Sequence, residues 1–189
     1  HRSTVVTGDG PHGAGRVAYV TLGSALRAVG VDGPTPFSVT GPEDSAPRAI
    51  ATRGVEALVE VASESGSVLV TGAHGSLVSR VRSSGYRTSC SVADVDGDGR
   101  NEVIAEDAAG FMRVLHMDSG ALRVRWKRRA SAQPVWTTWS ATHAAAPAVD
   151  LDGDGQKEII CSDAGDEPAS TIYALRADGS VYWASALPD

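Results

Sequence analysis

Short runs of β-branched and aromatic residues, separated by Gly, Asp, Ser and Pro, recur along most of the chain. Runs of this length between turn residues are typical of strands, and helical periodicity is weak throughout. Strands are predicted at 16–22, 25–31, 57–62, 67–71, 76–82, 102–106, 111–116, 157–161, 171–175 and 180–184. The Pro- and Gly-rich stretches 30–47 and 129–147 are predicted to be loops. The pattern predicts an all-β fold.

Two nine-residue loops, DVDGDGRNE at 94–102 and DLDGDGQKE at 150–158, share the acidic pattern D-x-D-G-D-G-x-x-E. Calcium takes about six to eight oxygen ligands, and alternating Asp residues supply them. A chain that turns around an ion so tightly needs positive φ, which glycine adopts without steric cost, and glycines stand at Gly97, Gly99, Gly153 and Gly155. Each loop is therefore predicted to bind one Ca²⁺. The predicted ligands are Asp94, Asp96, Asp98, the Arg100 carbonyl and Glu102 in the first loop, and Asp150, Asp152, Asp154, the Gln156 carbonyl and Glu158 in the second.

Other interpretations of these loops fit less well. An Asp-Gly run alone is also typical of a solvated turn, but two copies with the same Glu at the ninth position favour an ion site. An EF-hand loop ends in a bidentate Glu at position twelve and lies between helices. Here position twelve is Ala105 or Cys161, and both loops run into strand-forming sequence. The 56 residues between the loop starts also argue against a dockerin-like pair.

Residues 91–126 and 146–183, which contain the two loops, resemble FG-GAP/VCBS-type β-propeller blades. The resemblance implies a strand running into each acidic loop, a second strand leaving it and a hairpin of two more strands. It implies calcium ligation by the same acidic residues and carbonyls. The ninth loop position is more often Asp in that family, and the FG and GAP tripeptides are not present.

The repeat extends beyond the acidic loops, because residues 68–85 align without a gap on 103–120. We therefore expect residues 1–85 to form degenerate blades without calcium loops, and 86–130 and 131–189 to form one calcium-binding blade each. Units of this length with several short strands are typical of propellers. The chain is predicted to be either a four-bladed propeller or an arc of a larger one, completed by missing blades or neighbouring chains.

The formal net charge of −6 is concentrated in the loops. They hold eight of the 23 acidic side chains, which leaves 15 against 17 basic ones. The one basic cluster, RVRWKRR at 123–129, is interpreted as a strand end with solvated charges, so no nucleic-acid partner is predicted. No apolar run is long enough to span a bilayer, so no membrane insertion is predicted.

Few other residues suggest chemistry. The five histidines have no metal or catalytic spacing, and no nucleophile elbow or phosphate-binding loop is present. Cys90 and Cys161 are interpreted as buried thiols, with a single disulfide as the alternative. Trp136 and Trp139, in the long connection, are candidates for stacking on a sugar ring, with packing between blades as the alternative.

The remaining tryptophans, Trp126 and Trp183, end equivalent strands and are expected to pack between blades. The chain starts at His1 without a leader, which indicates a processed product or a piece of a larger protein. The sequence favours a non-catalytic, calcium-stabilised propeller segment of an extracellular, cell-surface or periplasmic protein, with a protein or carbohydrate ligand and a role in adhesion, assembly or ligand display. The alternative is the scaffold of a secreted carbohydrate-active enzyme such as a polysaccharide lyase.

Overall fold

A computed structural model covers the 189-residue chain. The structure describes residues 5–9, 16–22, 25–30, 33–40, 46–51, 57–62, 67–71, 77–82, 88–107, 111–129, 147–163 and 171–186. These residues form strands and turns and contain no helix that could cross a membrane.

In the described part of the chain, sixteen strands form four antiparallel sheets of four strands each, and the strands of each sheet follow one another in chain order. The first sheet contains β1 (Val5–Asp9), β2 (Arg16–Leu22), β3 (Ala25–Gly30) and β4 (Gly33–Thr40). The second contains β5 (Ala46–Ala51), β6 (Ala57–Ala62), β7 (Ser67–Thr71) and β8 (Leu77–Arg82). The third contains β9 (Thr88–Ala93), β10 (Glu102–Asp107), β11 (Phe111–Asp118) and β12 (Ala121–Arg129). The fourth contains β13 (Ala148–Val149), β14 (Glu158–Asp163), β15 (Thr171–Leu175) and β16 (Val181–Ala186).

The all-β prediction is confirmed, and the ten predicted strands are present with small differences at their ends. The predicted loop at 30–47 is wrong, because Gly33–Thr40 forms β4 and Ala46 begins β5. Both strands lie at sheet edges, where a proline need not donate to a neighbouring strand. Pro34 and Pro47 are therefore tolerated, and Val29 pairs with Pro34 at an irregularity in the register.

The two hairpins that align in sequence are not equivalent in the sheets. The hairpin β7–β8 contains the third and fourth strands of its sheet, whereas β10–β11 contains the second and third. An alternating hairpin with a glycine in its turn produces the same sequence pattern in either place. The alignment therefore identified a shared hairpin and not a shared position within a blade.

The chain divides into two compact units. One contains the described residues up to Thr88 together with Asp118–Leu122, and the other contains Ser89–Met117 and the described residues from Arg123 onward. The second unit holds both acidic loops. The sequence-based division at residues 85 and 130 stays a prediction.

The third and fourth sheets share one hydrophobic core within the second unit. Buried side chains of both sheets and of their connecting segments form a single cluster: Ala93, Val95, Ile104, Met112 and Val114 from the third sheet and its loop, and Ile159, Cys161, Leu175 and Ala177 from the fourth sheet and its turn. Cys161 is a buried thiol, as predicted. Because the third and fourth sheets contribute to the same core, the packing of each sheet also supports the acidic loop of the other sheet.

Trp126 packs against the turn between β15 and β16. Its indole Nε1 donates to the Ala177 carbonyl at 2.7 Å. Gly179 has a φ of +83°, and a Cβ there would lie 2.9 Å from the indole ring, so glycine is required by both backbone and contact. The prediction for Trp126 is confirmed. Trp183 differs, because 38% of its surface is exposed.

Candidate metal centres

Each acidic loop joins the first two strands of its sheet, and a strand leaves each loop from its ninth residue. β10 begins at Glu102 and β14 begins at Glu158, as predicted. The four loop glycines have φ between +77° and +89°, which also confirms the sequence prediction. The two loops therefore have the same backbone course, and the glycines are what permits it.

The first aspartate of each loop organises the turn. The two carboxylate oxygens of Asp94 accept from the amides of Gly97 and Gly99, at 2.8 and 2.9 Å. Asp150 accepts from Gly153 and Gly155 in the same way, at 2.6 and 3.0 Å. These hydrogen bonds hold each aspartate inside the turn that its own glycines form.

The glutamate at the ninth position closes the neck of each loop. Oε2 of Glu102 accepts from the Val95 amide at 3.0 Å, and Oε2 of Glu158 accepts from the Leu151 amide at 2.9 Å. Both glutamates are buried. An ionised carboxylate has about four lone pairs on its two oxygens, so each glutamate can bind an ion while Oε2 accepts its hydrogen bond.

Three predicted ligands of each loop converge. Asp94, Asp96 and Glu102 each offer a carboxylate oxygen, and these oxygens lie within 4.8 Å of one another. Asp150, Asp152 and Glu158 form the same group in the second loop. Carboxylate oxygens are the kind of donor that calcium binds, at about 2.3–2.6 Å, and each group supplies three of the about six to eight oxygens that calcium takes.

The other predicted aspartate ligands, Asp98 and Asp154, accept hydrogen bonds from the backbone of their own loops. Oδ1 of Asp98 accepts from the Arg100 amide at 2.8 Å, and Oδ1 of Asp154 accepts from the Gln156 amide at 2.7 Å. Neither aspartate belongs to the converging groups. Ligation by Asp98, Asp154 and the two carbonyls stays a prediction.

The surroundings of Glu102 and Asp96 in the first loop shift the pKa values of their carboxyl groups in opposite directions. Burial raises the pKa of Glu102, and the negative charges of Asp96 and Asp98 raise it further. The pKa of Asp96 is lowered, chiefly because the Arg125 guanidinium donates to its Oδ2. A buried glutamate that resists ionisation gains most from a nearby cation.

Arg125 was missed as a site residue by the sequence analysis, which placed it among solvated charges of the basic cluster. It lies on β12, the outer strand of its sheet, and 29 residues separate it from Asp96. No spacing signal joins the two residues, because their contact depends on how the sheet brings β12 beside the loop. Lysine and arginine on an edge strand also discourage pairing with other strands.

The two loops are in direct contact. The Lys157 amide donates to the Val95 carbonyl at 3.1 Å. A Cβ on Gly97 would lie 3.4 Å from the Gly155 carbonyl oxygen. The converging groups share no carboxylate, yet the backbone next to Glu158 is fixed to the backbone that Glu102 holds.

The candidate sugar-stacking residues Trp136 and Trp139 lie outside the described residues. Of the other residues considered for chemistry, His116 lies within β11, as predicted.

No protein-family model matches this sequence, and no curated protein matches it. Among solved structures, the chain is similar to β-propeller proteins. It is 12% identical to the rhamnogalacturonan lyase PL11 of Bacillus licheniformis, with a TM-score of 0.57 over 98% of this chain and 51% of that one. BBS1N, solved in complex with ARL6DN, is 18% identical, with a TM-score of 0.55 over 91% of this chain and 50% of that one.

BamB of Moraxella catarrhalis is 16% identical to this chain, with a TM-score of 0.54 over 97% of this chain and 50% of that one. The chain spans about half the length of each of these structures. At such identities the likeness shows the fold alone, which is that of a β-propeller segment.

Proposed function

We propose that the chain is a non-catalytic, calcium-stabilised β-propeller segment of an exported or cell-surface protein, serving adhesion, assembly or ligand display. The observation that carries the proposal is the repetition of one carboxylate arrangement in two loops. Each loop combines three converging carboxylates with a neck that its glutamate closes and two glycines at positive φ. Two solvated turns without a common ligand would have no reason to share all of these features.

Calcium fits what the residues offer. The donors are carboxylates and carbonyls, which suit a hard cation, and neither converging group contains the nitrogen or sulfur donors that favour zinc. Asp94, Asp96 and Glu102 would hold one ion and Asp150, Asp152 and Glu158 the other, with Asp98, Asp154 and the carbonyls of Arg100 and Gln156 completing each shell. A bound ion would neutralise the buried glutamate and join the two ends of the loop.

An extracellular, cell-surface or periplasmic location follows from the same chemistry. Extracellular modules bind calcium at about 10⁻⁴–10⁻³ M, which suits loops as exposed as these. Two bound ions would bring the formal charge from −6 to about −2. The protein would then be structurally complete only where calcium is abundant.

A role in assembly is supported by the outer face of the fourth sheet. Val95 of the first loop is 0% exposed, and its counterpart in the second loop, Leu151, is 44% exposed. Ala93 and Val149 show the same contrast, at 9% and 44%. The fourth sheet covers these positions on the third. We propose that a further propeller blade covers them on the fourth, and the double length of the similar structures supports this.

Calcium titration tests the proposal. Isothermal titration of the chelator-treated chain should show two ions bound per chain, and Asp96→Ala or Asp152→Ala should each remove one of them. Asp178→Ala is the control, because Asp178 lies outside both loops and caps a hairpin turn by accepting from the Ser180 amide. If the wild-type chain takes up no calcium, the proposed function is wrong.

The alternative function, the scaffold of a secreted carbohydrate-active enzyme, is suggested by the structural likeness to rhamnogalacturonan lyases. A lyase produces unsaturated sugars that absorb in the ultraviolet. Incubation of the chain with a panel of polysaccharides that includes rhamnogalacturonan, in the presence of calcium, should give no such product. Sustained turnover that stops only when this protein is left out of the reaction would replace the non-catalytic proposal with the enzymatic one.

A further inference from the structure

We propose that Arg125 acts as an internal competitor for calcium in the first loop, so that the loop 150–158 fills before the loop 94–102. The inference rests on the proposed calcium binding. It concerns two loops whose acidic residues and backbone hydrogen bonds match, and it assigns a difference in calcium affinity to one side chain.

The matching is close in both backbone and hydrogen bonds. Five equivalent hydrogen bonds occur in each loop: two to the first aspartate, one to each of the next two aspartates and one to the glutamate. Both glutamates are buried to the same degree. The hydrogen bonds of the two loops therefore match, although Asp94 and Asp96 are half-buried whereas Asp150 and Asp152 are exposed. Because of this difference in burial, the effect of the Arg125 charge has to be isolated by substituting Arg125.

Basic residues within the loops also balance. The first loop carries Arg100 followed by Asn101, and the second carries Gln156 followed by Lys157. Each loop thus has one cationic side chain at its seventh or eighth position. The acidic residues of the two loops are identical in number and place.

The guanidinium of Arg125 breaks this balance. It forms an ion pair with Oδ2 of Asp96, one of the three converging residues of the first loop. Asp152, the counterpart of Asp96, forms no ion pair with any described residue, and its Oδ1 accepts a hydrogen bond from the Asp154 amide. Tyr182, which precedes Trp183 as Arg125 precedes Trp126, is neutral and lies beneath Arg176.

The consequence for calcium follows from charge. An incoming ion must share Asp96 with a positive group that already donates to it, or displace that group, and either step weakens binding in the first loop. Both partners are partly exposed, so water screens the effect and the difference should be about tenfold in Kd. Without calcium, the same ion pair holds Asp96 in place, so the first loop should stay ordered when the second does not.

The test compares two charge-removing substitutions on one strand. Arg125→Gln removes the competing charge, and Arg128→Gln is the matched control, since Arg128 lies on β12 as well and donates to the Gly179 carbonyl. Both are made in full-length chains that also carry Asp152→Ala, so that calcium titration reports the first loop alone. The same substitutions in the Asp96→Ala background report the second loop and check that the fold is intact.

We expect wild-type titration to resolve two sites about tenfold apart, with the second loop the tighter. Arg125→Gln should tighten the first loop about tenfold, to within about threefold of the second, whereas Arg128→Gln should change it less than about twofold. Unchanged or weaker calcium binding by the first loop in Arg125→Gln, with the second loop still binding calcium in the Asp96→Ala background, would overturn this inference and leave the proposed function standing. No calcium uptake at either loop would overturn both.

Amide hydrogen exchange in chelator gives a readout that does not depend on affinity. Loss of the ion pair should speed exchange at Gly97 and Gly99, whose amides are bonded to Asp94, and should leave Gly153 and Gly155 unchanged. If the exchange rate of each of the four glycine amides were the same in Arg125→Gln as in wild type, an ordering role for Arg125 would be contradicted.

Discussion

Calcium at about 10 mM is expected to raise the Tm of the chelator-treated protein by about 10 °C. With a Kd of about 10⁻⁴–10⁻³ M, each filled site stabilises the folded state by about 1.4–2.7 kcal/mol through mass action. For a chain of this size, about 1 kcal/mol corresponds to about 2–4 °C in Tm. The two sites together therefore produce a shift that thermal unfolding followed by circular dichroism resolves easily.

The increase in Tm originates in the electrostatic repulsion between the carboxylates that the fold brings together in each loop. Three carboxylate oxygens of each loop lie within 4.8 Å of one another. Each group includes a glutamate that is only 3% exposed, so water screens its charge poorly. The neck of each loop depends on that glutamate, because it accepts from the amide of Val95 or Leu151. Calcium removes the repulsion and keeps the hydrogen bonds.

Two controls make the Tm measurement specific. Magnesium at the same concentration should give a much smaller shift, because it demands octahedral geometry at shorter distances and keeps its waters. A chain that carries both Asp96→Ala and Asp152→Ala should lose the calcium-dependent shift. A shift of the same size in that double variant would mean that calcium acts elsewhere on the protein.

The acidic loops could be predicted from the sequence because their information is local. Alternating aspartates, glycines at positive φ and a strand that begins at Glu102 or Glu158 all lie within nine residues. The strands were predicted for the same reason, since alternation of side chains shows over four to eight residues. Local patterns of this kind do not depend on which sheet a strand joins.

What the sequence did not predict depends on neighbours that are distant along the chain. Arg125 on β12 forms an ion pair with Asp96 in the loop between β9 and β10, 29 residues earlier in the chain. The Lys157 amide donates to the Val95 carbonyl because the third and fourth sheets pack together. β4 was not predicted because it contains Pro34, which cannot donate a hydrogen bond to a neighbouring strand. At a sheet edge this missing donor has no cost, and the sequence does not show which strands lie at an edge. None of these contacts leaves a spacing pattern.

Trp126→Ala is expected to destabilise the fold by about 2–3 kcal/mol, and Trp183→Ala by less than about 1 kcal/mol. Trp126 packs against the core of the second unit, donates to the Ala177 carbonyl and fills the space that Gly179 leaves open. Trp183 is one of the exposed large hydrophobic residues on the fourth sheet. Urea unfolding followed by circular dichroism, with calcium present, measures both free energies.

Matched variants separate the contributions to this difference. Trp126→Phe keeps most of the ring and removes the N–H donor, so it should lose about 0.5–1.5 kcal/mol of the total. Val124→Ala and Val181→Ala serve as controls, because both valines are exposed and precede the tryptophans in strand order. Each should change the free energy of unfolding by less than about 0.5 kcal/mol.

The difference between the two alanine variants measures what a neighbouring sheet contributes, because the two tryptophans lie on the fourth strands of their sheets and, among the described residues, only Trp126 has such a sheet against it. Equal losses at Trp126 and Trp183 would contradict this account and would show that the outer face of the fourth sheet is already covered in solution. If a further blade covers that face in a longer polypeptide, Trp183→Ala in that polypeptide should become as destabilising as Trp126→Ala is in this chain. The same substitution thus reports whether the propeller continues past β16.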